Sequence, residues 1–483
     1  MRRSIHLSPL FLASLACAAF PVLAEERHES FDRDPSSWDA HHNRSARPET
    51  VRQDFGWSPA TTNAGGHPGE VGGRITPAAE PAYYAKRFPT RTFADPLAAS
   101  GVVKVEKGGG HTLLGFFNAG TLNEWRTPNT IALRIQQRGE IFHCHLEYCT
   151  GRWRAGAGII GRYDKARDRM EPKELPCGRS YTWSLRYDPN GNNGGGVVTA
   201  TLDGDTAVCE LSPQHKLDGA AFDHFGLVNV QKQYDGPGTL WLDDVTIQQE
   251  REDFTQDPHW DASGNRRTYE THTVRPRFDF GFTATRNAGG KSAGELGGLF
   301  FRGDCRYPDR LAAYGDRLGT LTLERPLRAS GKVCLRRGVS DSTTLLGFYH
   351  SDRSLSVNPS QQFSIPSDFL GLAIEGPSGE GFYVYPVYRN HGGGVSKGMG
   401  RNPPRIYPDG ATHNWTLDYE PGKAGAAGRM TVSLDGHAVS LDLAPADQAA
   451  GAEFNRFGLV TPWIDGNSQL VFFDDLSYTS RQD

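Results

Sequence analysis

From Tyr181 to Tyr187 apolar and polar side chains alternate, the period-two pattern of a strand with one buried face. The run then meets Asp188-Pro189-Asn190-Gly191-Asn192, a cluster of turn formers. Val197 to Leu202 alternates again and stops at Asp203-Gly204, the dipeptide of a tight hairpin. The pattern recurs downstream: Trp415 to Tyr419, a glycine-rich loop, Met430 to Leu434, then Asp435-Gly436. Two further apolar runs, Leu240 to Val245 and Val471 to Leu476, each carry an Asp-Asp pair. No amphipathic helix of any length stands out, so the pattern predicts an all-β protein built of antiparallel strands.

The recurrence extends over the whole chain. Phe31, Asp34-Pro35, Trp38 and Asn43-Arg44 return as Phe254, Asp257-Pro258, Trp260 and Asn265-Arg266. Asn63-Ala-Gly-Gly returns as Asn287-Ala-Gly-Gly, and Gly69-Glu70-x-Gly-Gly as Gly294-Glu295-x-Gly-Gly. Leu113-Leu-Gly-Phe returns as Leu345-Leu-Gly-Phe, Phe225-Gly-Leu as Phe457-Gly-Leu, and Asp243-Asp244 as Asp474-Asp475. Matches kept in one order identify a tandem duplication. The expected organisation is a secretion signal at 1–24, one β-sandwich at 25–253 and a second at 254–483. Each is long enough to bury its own core.

Charge and cysteine usage narrow the partners. The net charge is −4, with no basic field of the kind nucleic acid requires. Arg2-Arg3, the mostly apolar stretch from Leu7 to Ala19, and Val22-Leu23-Ala24 read as a bacterial-type signal cleaved after Ala24. No second hydrophobic stretch follows, so the expectation is a periplasmic or secreted protein without a membrane span. Cleavage leaves Cys144, Cys149, Cys177, Cys209, Cys305 and Cys334. An even count in an oxidising compartment permits disulfides, and Cys305–Cys334 is the expected bridge of the second copy.

Trp183-Ser-Leu-Arg-Tyr-Asp188, Val198 to Gly204, Phe222 to Leu227 and Leu240 to Val245 together resemble the concanavalin A-like lectin/glucanase superfamily. So do Trp415 to Tyr419, Val432 to Gly436, Phe454 to Leu459 and Val471 to Leu476 in the second copy. The resemblance covers the C-terminal half of each copy and implies two tandem jelly-roll sandwiches. The superfamily it resembles includes lectins, glycosidases, polysaccharide lyases and inert modules, so a polysaccharide or other extracellular glycan is the expected partner, cleaved or merely bound. The Glu-x-Asp-x-x-Glu strand of the glucanase branch is absent from this sequence.

One strand in each copy carries candidate chemistry. Gly139-Glu140-Ile-Phe-His143-Cys-His145-Leu-Glu147 aligns with Gly379-Glu380-Gly-Phe-Tyr383-Val-Tyr385. Alternation puts His143, His145 and Glu147 on one face, and Tyr383 and Tyr385 on the corresponding one. These residues are the catalytic candidates. As bases or acids they would suit a lyase that abstracts the proton beside a uronate carboxylate. Arg134, Gln136, Arg389 and His391 would hold or neutralise the substrate. The same residues suit a metal held by His-x-His and Glu147, or passive stacking on sugar rings. An ordinary solvated sheet face fits them too. Glu375 with Glu380, or Glu140 with Glu147, offers the two carboxylates of a glycosidase. Asp243 and Asp474 offer hard oxygen ligands for calcium.

Overall fold

A computed structural model describes residues 25–481 apart from 46, 124–126, 276, 361–363 and 423–427; the signal segment 1–24 lies outside the described residues. The secondary structure of the described residues is almost entirely antiparallel strand, in four large sheets and one two-stranded hairpin. Two short α-helices, Pro213–Asp218 and Pro445–Ala450, hold equivalent places in the two copies. Among the described residues no helix is long and apolar enough to cross a membrane.

Each copy is a two-sheet sandwich. In the first, one sheet runs Asp205–Glu210, Val197–Leu202, Ser180–Asp188, Leu97–Val105, Gly238–Ile247, Glu70–Ile75 and Glu49–Ser58. The other runs Ala155–Ile159, Ile141–Cys149, Thr130–Arg138, His111–Phe117, Ala221–Asn229 and Tyr83–Thr92. The alternation seen in the sequence decides which side chains meet between them. Tyr181, Trp183, Leu185 and Tyr187 all point inward, against Phe142, Cys144 and Leu146 from the opposing sheet. The second sandwich repeats the order, with Trp415, Leu417 and Tyr419 facing Phe382 and Val384. Asp203-Gly204 and Asp435-Gly436 both have positive φ at each residue, as the predicted tight hairpins require.

The segments that open the two copies exchange places. Glu25–Glu29 pairs with Ser468–Ser480, and Trp38–His41 pairs with Ala313–Thr322, so the N-terminal arm extends both sheets of the second sandwich. Phe31 and Trp38 are buried in that sandwich's core. Conversely, Asp261–Ser263 pairs with Tyr83–Thr92 and Arg266–Thr271 with Glu49–Ser58, while Phe254 and Trp260 fill the first core. The repeat unit of the sequence and the packing unit of the structure are therefore out of step. Residues 25–45 belong to the second core and 254–271 to the first. The two crossing segments run side by side: the Ser45 N–H donates to the Phe278 carbonyl at 2.9 Å, and Arg277 donates to the Arg47 carbonyl at 3.0 Å.

This exchange explains glycines that recur in the sequence. A Cβ on Gly69 would stand 2.0 Å from the Phe254 carbonyl oxygen, and one on Gly294 would stand 1.8 Å from that of Phe31. Both glycines also have positive φ. Asn265 and Asn43 lock the arms by donating side-chain N–H groups to the carbonyls of Phe55 and Phe280, each at 2.5 Å.

The expected Cys305–Cys334 bridge is not formed, and all six cysteines are free thiols. The Cys305 thiol faces the Asn358 carbonyl beside Leu311 and Trp463, whereas Cys334 packs with Ala288 and Phe472 in a separate cluster. Strand pairing, invisible in the spacing, assigned the two residues to different surroundings.

The arm is predicted to be structural for the distant sandwich only. Trp38→Ala should destabilise the second sandwich by about 3–5 kcal/mol, the cost of emptying a large aromatic site. Hydrogen exchange should then quicken in Ala313–Thr322 and Ser468–Ser480, with the first sandwich unaffected. Uniform loosening of both sandwiches would contradict this assignment.

Candidate functional site

Cys144, Leu146 and Tyr148 enter the first core, so the intervening His143, His145 and Glu147 project from the opposite face of the same sheet. The register sets their neighbours: Gln136 lies opposite His143, Arg134 opposite His145, and His111 opposite Gln136 on the next strand. The Arg134 Nε donates to Glu147 Oε1 at 2.7 Å, and a terminal guanidinium nitrogen lies 3.5 Å from His111 Nδ1. Lys232, held by Asp235 at 2.5 Å, contributes further positive charge. The structure thus gathers Arg134, Gln136, His143, His145 and Glu147, and adds His111 and Lys232. His111 comes from the neighbouring strand and Lys232 from the loop that follows Ala221–Asn229, and only the tertiary structure could have revealed them.

The electrostatics of this face keep its imidazoles uncharged. Burial, with Arg134 alongside, pushes His145 down to about 4, although Glu147 pulls the other way. Burial holds His111 well below the ordinary imidazole range, and the Lys232 and Arg134 cations add to this. Burial and Arg138 lower His143. His145 Nε2 is buried without a hydrogen-bond partner. A neutral, unbonded imidazole nitrogen beside a guanidinium can accept a proton or a hydroxyl hydrogen bond.

The corresponding face of the second copy is filled. Tyr385 is fully buried, and its hydroxyl donates to Glu375. Arg302 binds the same carboxylate at 3.2 Å. Tyr383, Val387, Ala373, Ile365 and Phe369 pack there as a second hydrophobic cluster. Arg389 donates to the Ile365 carbonyl at 2.7 Å and lies 4.5 Å from the Trp463 ring. His391 stands apart, beyond the strand, 3.3 Å from Asp368. The alignment of His143 with Tyr383 and of His145 with Tyr385 holds in the strand register, but the two faces have different occupants.

The carboxylate pairs separate. Glu140 is an exposed turn residue bound to Lys107, seven residues along the chain from Glu147. At about 3.3 Å per residue in a strand that is roughly 20 Å, beyond glycosidase spacing. Glu375 sits on the second sandwich's outer face, while Glu380 reaches across to the first copy. There it meets His215 Nε2 at 2.9 Å, and His215 Nδ1 in turn lies 2.8 Å from the Tyr148 hydroxyl.

Asp243 and Asp474 owe their recurrence to a backbone device. Each precedes an aspartate with positive φ at a register shift, and each accepts the N–H of that neighbour, at 2.8 and 2.7 Å. Their other oxygens press on Gly65 and Gly290, where a Cβ would stand 1.4 and 1.7 Å away. Calcium takes six to eight oxygens, and at each of these aspartates one oxygen is already engaged by a backbone N–H. The described residues include no group of three acidic, imidazole or thiol ligands, and the Gly289 and Gly290 carbonyls already accept from Lys332 and Arg286. Glu70 and Glu295 cap the same loops, accepting the backbone N–H groups of Asn63 and Ala64, and of Asn287 and Ala288.

No family model matches the chain, and no curated protein matches it. Among solved structures, an alginate lyase from Pseudomonas aeruginosa is 12% identical over 35% of this chain and 68% of its own, with a TM-score of 0.21. A peanut lectin in complex with a peptide is 12% identical over 42% of this chain and 90% of its own, with a TM-score of 0.26. The binding domain of botulinum neurotoxin serotype C1 is 9% identical over 90% of this chain and 94% of its own, with a TM-score of 0.21. These are loose likenesses between β-sandwiches.

Burial lifts the Asp474 carboxyl to about 6. The folded state therefore holds this proton more tightly than the unfolded chain, and stability should fall as pH rises from about 4 to about 6. Asp474→Asn should gain on the parent protein across that interval and hold the gain above it, with neither protein responding to calcium or EDTA. Thermal midpoints against pH test both statements. A calcium-dependent rise lost in the variant would place a metal at Asp474 instead.

Proposed function

We propose that this is an exported, polysaccharide-active protein of two concanavalin A-like jelly rolls, and that its first sandwich cleaves a uronate-containing extracellular glycan by β-elimination. The observation carrying this reading is the neutral, unbonded His145 Nε2 opposite Arg134 on one sheet face. Arg134 and Lys232 bring positive charge that attracts a uronate and stabilises the carbanion character developing beside its carboxylate. His145 takes the C5 proton. The C5–H electron pair forms the C4=C5 double bond, and the C4–O bond breaks with its pair on the leaving oxygen, which is protonated by water. Glu147 orients Arg134. Glu147, the carboxylate on the same strand face as His143 and His145, is committed to Arg134, which argues against its use in a two-carboxylate hydrolase. The second sandwich, its face filled by Tyr385 and its neighbours, acts as scaffold for that chemistry.

A passive glycan binder is the second reading. It is favoured by the low exposure of this face: Arg134, His143 and Glu147 are each only 8% exposed.

The test is digestion of neutral and uronate polysaccharides by the signal-free protein, following ultraviolet absorbance of the unsaturated product and reducing ends separately. Both should rise together on a uronate polymer. His145→Ala should lower the rate by about a hundredfold or more. The parental rate should climb as pH passes His145's value of about 4 and the base loses its proton. Reducing ends without the ultraviolet signal would sink elimination. Binding without either signal would leave the passive reading.

A further inference from the structure

The second sandwich holds a cavity of about 790 Å³, away from the face just described. Its walls are the turn Thr322-Leu323-Glu324, the loop residues Arg353 and Asp368, His391 beyond Gly381–Arg389, and the chain from Pro445 to Glu453. Asp368 organises it. This residue is fully buried with positive φ, and its carboxylate ties three separate segments together. It accepts the Glu453 backbone N–H at 3.0 Å, Arg353 Nε at 3.0 Å, the Ser367 hydroxyl at 3.1 Å and His391 Nδ1 at 3.3 Å. Arg353 also binds Glu453 Oε2 at 2.8 Å.

A carboxylate can only accept, so the His391–Asp368 bond places a proton on Nδ1. Among the described residues Nε2 has no partner, and its side chain lines the cavity and is 62% exposed. The imidazole is oriented by a buried acid, and no described residue bonds it on its solvent side. The charge around it is acidic: Arg353 is outnumbered by Asp368, Glu453 and Glu324. The lining also includes apolar side chains, Leu323, Pro445 and Ala449.

We propose that this cavity is a second glycan subsite, selective for a neutral sugar unit. The inference rests on the glycan reading of the first sandwich but concerns a different site. Sugar hydroxyls would donate to His391 Nε2 and to Glu453 and accept from Arg353, while the C–H face of the ring covers Leu323, Pro445 or Ala449. The surplus of carboxylates repels a uronate, so the two sites divide the polymer by charge. The first sandwich has a cavity of about 800 Å³ at the equivalent place, lined instead by Asn192, Asn193, Lys216 and Leu217, without a His–Asp pair.

The experiment is calorimetric titration of the signal-free protein with neutral hexasaccharides (cellohexaose, maltohexaose, mannohexaose) and with alginate hexasaccharides. It is run on the parent protein and on His391→Ala, Glu453→Gln and His145→Ala. A neutral hexasaccharide should bind, and His391→Ala should weaken it about tenfold, the loss of one good hydrogen bond. Glu453→Gln should weaken it less, and His145→Ala should leave it unchanged. Neutral binding that survives both cavity variants would overturn the subsite. So would uronate binding that depends on His391. If no neutral sugar binds while the uronate polymer is still cleaved or bound, the subsite falls and the first-sandwich reading stands. If nothing is bound or cleaved, both fall. His391 is exposed, so its replacement tests the site without endangering the fold; circular dichroism of each variant checks this.

Discussion

Neither sandwich is closed by the segment that opens its own repeat. Two β-sheets need their edges covered and their core ends plugged, and here the plug comes from the other copy. Phe31 and Trp38 enter the second core, Phe254 and Trp260 the first, and the hinge segments cross side by side. The first arm must travel from the N-terminus to meet the strand that ends at Ser480. The two sandwiches therefore form one interlocked unit, further joined where Glu380 meets His215 and where Ala155 donates to the Gly379 carbonyl.

That interlock bears on where chemistry can reside. The strand Ile141–Cys149 carries its polar side chains on the outer face of the first sandwich, and its far end is anchored through Tyr148, His215 and Glu380 to the second. The equivalent strand Gly381–Arg389 has its outer face buried under Ile365 and neighbouring residues. One duplicated scaffold thus carries an imidazole-rich cationic face in one copy and a packed apolar one in the other. An unpaired polar atom remains on the former, at His145 Nε2, whereas Tyr385 and Glu375 satisfy one another on the latter. Polar atoms buried without partners are costly, and a site for a hydroxyl- or carboxylate-bearing ligand is one reason to keep them.

Much of this was legible in the chain. Period-two alternation at Tyr181–Tyr187, the Asp-Gly hairpins and the ordered repeat of short motifs established the all-β class and the duplication. They also assigned His143, His145 and Glu147 to one face, because a strand admits only two. The same sequence named Asp243 and Asp474 as special without showing why. Their role lies in a bulge whose existence depends on the opposing strand.

Tertiary structure decided what lies more than one strand away. Register brought His111 and Arg134 to His145, separated Cys305 from Cys334, and joined Asp368 to His391. It also sent each opening arm to the opposite sandwich. Local pattern encodes which side of a strand is buried, since that depends on the residue's own pleat. Which strand lies alongside, and from which copy, depends on contacts between residues hundreds of positions apart, such as Phe31 against Gly294. No spacing in the sequence records those contacts.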